Sequence, residues 1–204
     1  MEQFINQIHL RGSLQELPKF SHDNHGRKFY RFYLEVPRLS GTVDILPVVS
    51  ELGLLETLDL TAGSSLDICG QVRSHNISDD TGRHLLVFVF ATEMKVEDGP
   101  PVNEVTVLGN ICKAPTYRRT PLGREITDVM LAVPRILRRA DYLPCILWGS
   151  TAYHASSCQV RDQLKISGRL QSRCYSKYTE TGILERTTYE ISALTAQIFH
   201  REDQ

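Results

Sequence analysis

Short stretches of alternating apolar and polar residues recur along the chain, each bounded by Gly, Pro or a polar cluster. NEVTVLGNI (103–111) sets Val105 and Val107 between polar neighbours and breaks at Gly109. Period-two alternation over so few residues predicts strands with one face on a core. EITDVMLAVP (125–134), YLPCILW (142–148), LKISGRLQSRCYS (164–176, bent at Gly168) and ERTTYEISALTAQIF (185–199) follow the same rule. TPLGRE (120–125) carries Pro121 and Gly123 and predicts a hairpin turn between the first two strands. Between the third and fourth strands lies GSTAYHASSCQVRD (149–162), the one segment that predicts a helix. In YLPCILW, Leu143, Cys145 and Leu147 share one face and are small and apolar, so that face is expected to line the core. Tyr142, Pro144, Ile146 and Trp148 then point outward.

The pattern occurs twice. Displacing the chain against itself by 97 residues superimposes Gly12 on Gly109, Pro18 on Pro115 and Gly26 on Gly123. Val36-Pro37-Arg38 falls on Val133-Pro134-Arg135, and Asp44, Leu46 and Pro47 fall on Asp141, Leu143 and Pro144. With a one-residue slip, LDICGQVRS (66–74) overlays LKISGRLQS (164–172). So many Gly, Pro and charged identities at one offset mark a duplicated domain. EDGPP (97–101) is the turn-rich link, giving an N-terminal copy over 1–98 and a C-terminal copy over 102–204. Five strands with one helix between the third and fourth are the order of an OB-fold barrel, so the expected fold is all-β, two tandem five-stranded barrels. Gly109 and Gly168 suit the sharp strand bends of so small a barrel.

Composition excludes several classes. The hydrophobic fraction of 41% and charged fraction of 23% are those of a globular chain. The longest apolar run, LLVFVFA (85–91), is far short of the ~20 residues of a membrane helix, and the N-terminus shows no signal-peptide pattern. A cytoplasmic location and no membrane partner are expected. The five cysteines include no CxxC, and no Cys/His pair stands at zinc-ligand spacing; buried free thiols and no metal or cofactor are expected. The net charge of −1 hides an asymmetry: residues 1–98 hold 9 basic and 14 acidic residues, residues 99–204 hold 14 and 10. Only the second half is electrostatically suited to an anion.

The second copy resembles bacterial single-stranded DNA-binding proteins. The likeness rests on NEVTVLGNICKAPTYRRTPLGREITDVMLAVPR, then ADYLPCILWGSTA, LKISGRLQSRCYS and TTYEISA, across nearly all of 102–199. The family pattern is an N-x-V-x-L-x-G start (N-x-V-x-V-L-G in this chain), a P-x-x-R-x-T-P-x-G turn, an aromatic-led strand ending W/F-G, and a G-x-L-x-x-R-x-Y/W strand. The first copy matches only through the internal repeat. The resemblance implies tandem OB folds that hold single strands without sequence preference, in DNA replication, recombination or repair; the primosomal replication protein is a relative of the same fold. It places Tyr142, Trp148 and Tyr175 at stacking positions and a basic or polar contact at Arg118 and Arg169. Four OB folds are the usual assembly, so two per chain imply a homodimer. AQIFHREDQ (196–204) does not resemble the acidic tail by which such proteins recruit replication enzymes, so no such recruiting device is expected.

The residues themselves fit that chemistry. A single strand needs cations along a groove and flat rings for its bases. Arg118, Arg119 and Arg124 flank the first hairpin; Arg135, Arg138 and Arg139 fill the turn before Tyr142; Arg169, Arg173 and Lys177 follow on the fourth strand. Arg169, Arg173 and Tyr175 share a face of a regular strand, with Leu170 and Cys174 expected to point inward. The offset maps Tyr142 to Ile45, Trp148 to Glu51, and Arg118 and Arg119 to Ser21 and His22. The first copy has lost rings and cations, and Glu51 is expected to repel phosphate, so this copy reads as a scaffold. The other possibility for it is binding through Lys19, Phe20, Arg27, Lys28, Phe29 and Tyr30. Its LLVFVFA strand is apolar on both faces and so needs a second covering surface, from the other domain or another chain. A primosome-like protein-assembly adaptor is the alternative function. No clustered carboxylates, Ser-His-Asp order, P-loop or HExxH motif supports an enzyme.

Overall fold

The computed structural model describes residues 4–79, 82–136, 139–179 and 182–200. The second copy folds as β7 (Val102–Arg119), β8 (Glu125–Arg135), β9 (Arg139–Trp148), α2 (Gly149–Ser156), β10 (Gln163–Thr179) and β11 (Gly182–Phe199). β7 to β8, β8 to β9 and β10 to β11 are antiparallel, and β9 meets β11 in a short parallel pairing. β10 also pairs with β7, which closes the barrel. Leu143, Cys145 and Leu147 lie in its core, as the alternation of β9 requires. At Gly168 the β10–β11 register shifts by a residue. A Cβ there would collide with the Ser192 carbonyl oxygen, so only glycine fits the close approach of the two strands.

The first copy repeats this plan as β1 (Asn6–Leu14), β2 (Lys19–Asn24), β3 (Arg27–Pro37), β4 (Val43–Glu51), α1 (Leu52–Leu55), β5 (Ser65–Asp79) and β6 (Gly82–Val96). Two details differ from the sequence expectation. The first strand is broken before Pro18, which has no N–H for a ladder, whereas β7 runs through Pro115 with two register shifts. The helix between strands three and four shrinks to the four residues of α1. The five cysteines are free; Cys145 and Cys158 are buried, but Cys174 is exposed.

The barrels share one sheet. β1 pairs antiparallel with β7, Ile8 opposite Val105 and Asn6 opposite Val107. Two side-chain clamps, related by the repeat, then cross from each barrel to the other. The Asp44 carboxylate has no exposed surface. It accepts from Arg38 Nε (2.7 Å) and Nη2 (2.6 Å) within its own barrel. It also accepts from the Ser172 amide (2.8 Å) and hydroxyl (3.1 Å) on the β10–β11 hairpin of the other. Asp141 is buried likewise; its Oδ1 accepts from the Ser74 amide at 2.7 Å, and Arg135 Nε lies 3.1 Å from Oδ2. Ser74 Oγ accepts in turn from the Tyr142 amide at 2.7 Å. The repeated VPR arginines and the aspartates after them thus lock each hairpin against the neighbouring barrel.

Candidate nucleic-acid interface

The outer face of the second barrel is built from β9 and the β10–β11 hairpin. Alternation along β9 sends Tyr142 outward, where it is 45% exposed. Trp148 ends the same strand half-buried, its indole N–H donating to Ser192 Oγ on β11 at 3.0 Å. Six residues at about 3.3 Å each put the two rings roughly 20 Å apart along the strand. Ile146 between them is buried despite lying on the outer face; Asp128 of β8 and Ser192 of β11 stand at its pairing positions. On β10, Arg169, Arg173 and Tyr175 pair with Ser192, Thr188 and Arg186 of β11, so they share the outer face, and Tyr175 is 40% exposed. Ser192 links the two groups, lying opposite Arg169 while it holds Trp148.

The cations fall into three groups. Arg118 forms a two-pronged pair with Asp128, Nε to Oδ2 at 2.6 Å and Nη2 to Oδ1 at 3.2 Å. Arg119 donates to Glu125 at 3.0 Å and remains largely exposed. Tyr117 and Arg119 hold the Glu125 carboxyl below its ordinary range. Arg124 is exposed in the turn set by Gly123 (φ 76°), and among the described residues its guanidinium has no ion-pair partner. Arg135 is engaged in the Asp141 clamp, whereas Arg139, opposite it in the β8–β9 hairpin, is exposed. Arg138 and the Lys177 side chain lie outside the described residues. Arg169 is half-buried, and its Nε has no hydrogen-bond partner among the described residues.

Geometry gives a place to Arg73, one of the few basic residues the first copy keeps at the mapped positions. Arg73, on the β5–β6 hairpin of the first barrel, joins Arg135 and Arg139 around one hollow, which Phe4 and Ile136 also line. Its guanidinium lies 5.2 Å from the Phe90 ring centroid and 3.9 Å from Asp141 Oδ2. Burial and the nearby Arg135 charge lower its pKa. The repeat maps Ser74 onto Ser172 but cannot show that each hairpin crosses to the other barrel. That crossing is what brings Arg73 here.

Two expectations need correction. Cys174 does not enter its own core; with Ser172, Thr187 and Tyr189 it faces a groove whose far wall is Tyr33, Ile45 and Pro47 of the first barrel. The hairpin has by then outrun the barrel it belongs to. Glu51 is not a bare carboxylate: Arg27 grips both of its oxygens, Nε at 2.8 Å from Oε1, so the pair carries little net repulsion. The rings of the alternative cluster on the first barrel pack on one another. His22 stacks on Phe29 with centroids 4.8 Å apart, and Phe29 packs beside Phe90 at 6.1 Å.

Comparison with known proteins agrees with this fold. The model of the single-strand binding protein family matches residues 102–199. Single-stranded DNA-binding protein B of Bacillus subtilis (strain 168) is 38% identical over 80 residues, covering 36% of this chain and 71% of the relative. Single-stranded DNA-binding protein 1 of Staphylococcus aureus (strain COL) is 33% identical over 81 residues, covering 36% of this chain and 48% of the relative. The crystal structure of the single-stranded DNA binding protein from Thermus aquaticus superposes with a TM-score of 0.78 at 22% identity, over 98% of this chain and 95% of that one. That superposition extends the likeness in fold to both barrels, well beyond the segment matched by the family model. The chain belongs to the single-strand binding protein family.

Proposed function

We propose that the chain binds single-stranded DNA without sequence preference and without catalysing a reaction, chiefly on the outer face of the second barrel. One juxtaposition carries this function: Ser192 bonds the half-buried Trp148 indole and lies opposite Arg169, whose strand also presents Arg173 and the accessible ring of Tyr175, while Tyr142 stands exposed on the strand that Trp148 ends. Bases stack on the rings, each worth about 1–3 kcal/mol, and phosphates follow the guanidinium groups. Arg118 and Arg119 reach the strand from their carboxylate partners. Arg135 acts through the clamp, holding the strand that presents Tyr142.

The first barrel serves as scaffold. It supports β9 through Ser74, supplies Arg73, and sets Ile45 and Pro47 across a groove from the β10–β11 hairpin. Its β6 strand leaves Leu86 37% exposed and Phe88 half-buried on the side away from the core. A homodimer with four barrels covers such a surface and gives a strand a longer path. Its setting is the cytoplasm, in DNA replication, recombination or repair, wherever duplex has been opened.

The test is an affinity series on dT oligomers of increasing length. Tyr142→Ala and Tyr175→Ala are each expected to weaken binding by about 1–3 kcal/mol. Tyr153→Ala, an exposed ring on α2, is expected to change nothing. Equal losses at all three positions, or no binding by the parent, overturn the proposal.

A further inference from the structure

The central sheet carries a set of metal-ligating side chains that sequence spacing hides. His9 on β1 lies directly opposite Cys69 on β5, 60 residues on, and Asp67 stands two residues before Cys69 on the same face. Their neighbours Ile8, Leu10 and Ile68 fill the core, so these three point to the other side of the sheet. His9 Nε2 and Asp67 Oδ2 are 2.9 Å apart, and one ligand atom from each of the three residues lies within 4.8 Å of the others. Two more carboxylates extend the row on adjacent strands: Glu93 of β6 opposite Cys69, and Glu104 of β7 opposite His9. Four of the five, His9, Cys69, Glu93 and Glu104, line one open hollow at the junction of the barrels.

We propose that His9, Asp67 and Cys69 bind a zinc ion, with Glu104 or Glu93 completing the site. Thiolate, imidazole and carboxylate together suit zinc and exclude magnesium and calcium, which take oxygen ligands. Zinc bonds of about 2.0–2.3 Å place tetrahedral ligand atoms roughly 3.4–3.7 Å apart, so small side-chain rotations close the present spacing. The ion takes the place of the direct contact between His9 Nε2 and Asp67 Oδ2, and its binding releases the Cys69 thiol proton. Arg11 opposes it: its Nη2 sits 2.6 Å from Asp67 Oδ2. Closure by Glu104, the one ligand from the second barrel, makes the ion a strap across the β1–β7 junction.

The experiment uses the metal-stripped full chain with cobalt(II) as the spectroscopic substitute for zinc. One equivalent is expected to bind, with a thiolate-to-cobalt charge-transfer band that zinc bleaches. Cys69→Ser abolishes the band, while Cys112→Ser and Cys174→Ser keep it. His9→Gln weakens binding by more than about tenfold, since even groups outside the coordination shell change metal affinity by roughly 10–100-fold. Arg11→Gln tightens it. Zinc raises the thermal midpoint of the parent and of Cys112→Ser but not of Cys69→Ser, each variant being checked for parental circular dichroism. A parent without the band, a band that survives in Cys69→Ser, or a thermal shift shared by that variant overturns the site.

Discussion

Asp44→Ala tests whether the repeated Arg–Asp–Ser clamp holds the two barrels together. The carboxylate is fully buried and accepts four hydrogen bonds, two from Arg38 and two from Ser172. Its removal leaves the largely buried guanidinium without its counter-ion, holding only the Ser172 carbonyl at 3.2 Å, and takes the acceptor from the Ser172 N–H. Breaking a buried pair from one side costs about 3–5 kcal/mol. At about 2–4 °C per kcal/mol for a chain of this size, the midpoint falls by roughly 6–20 °C. Urea unfolding supplies the free energy, and hydrogen exchange localises it. The Ser172 amide, freed from Asp44, is expected to exchange about 100-fold faster or more. Asp44→Asn keeps an acceptor for Ser172 and so loses less. A loss below about 1 kcal/mol, or unchanged Ser172 protection, refutes the clamp.

Other outcomes follow from the same geometry. Arg139→Gln and Arg124→Gln each remove an exposed cation and should reduce the salt slope of oligonucleotide binding by about 0.7; Arg135→Gln should instead lower stability, read by urea titration. Burial pushes the Asp67 carboxyl up, but hydrogen bonds from His9 and Arg11 outweigh it, and the folded pKa lies below the ordinary value. Its stabilisation is therefore present above about pH 4 and lost as the pH falls through the folded value. Asp67→Asn should accordingly show a shallower acid loss of unfolding free energy than the parent. Gly168→Ala forces a Cβ onto the Ser192 carbonyl, and should destabilise the second barrel and shift the Trp148 emission maximum by displacing its indole partner.

What the sequence reveals is what lies within one barrel. Two-residue periodicity put Leu143, Cys145 and Leu147 inside and Tyr142 outside, because strand geometry alone decides that. The offset of 97 exposed the duplication because turn glycines and prolines are kept where the backbone demands them. Contacts between barrels carry no local signature. Arg135 and Arg139 look alike in a basic turn, yet one is bound to Asp141 and the other is exposed. Cys174 obeys the alternation of its strand but lies past the edge of its own barrel. His9 and Cys69 become neighbours only through strand pairing, and Arg27 reaches Glu51 across β3 and β4.

The most direct test of the central claim is the fluorescence of Trp148, the chain's one tryptophan. Titration with a dT oligomer at low salt should quench it in step with binding measured independently by anisotropy of a labelled strand, and added salt should reverse both. Binding by anisotropy with the indole emission unmoved would place the strand elsewhere and contradict the account.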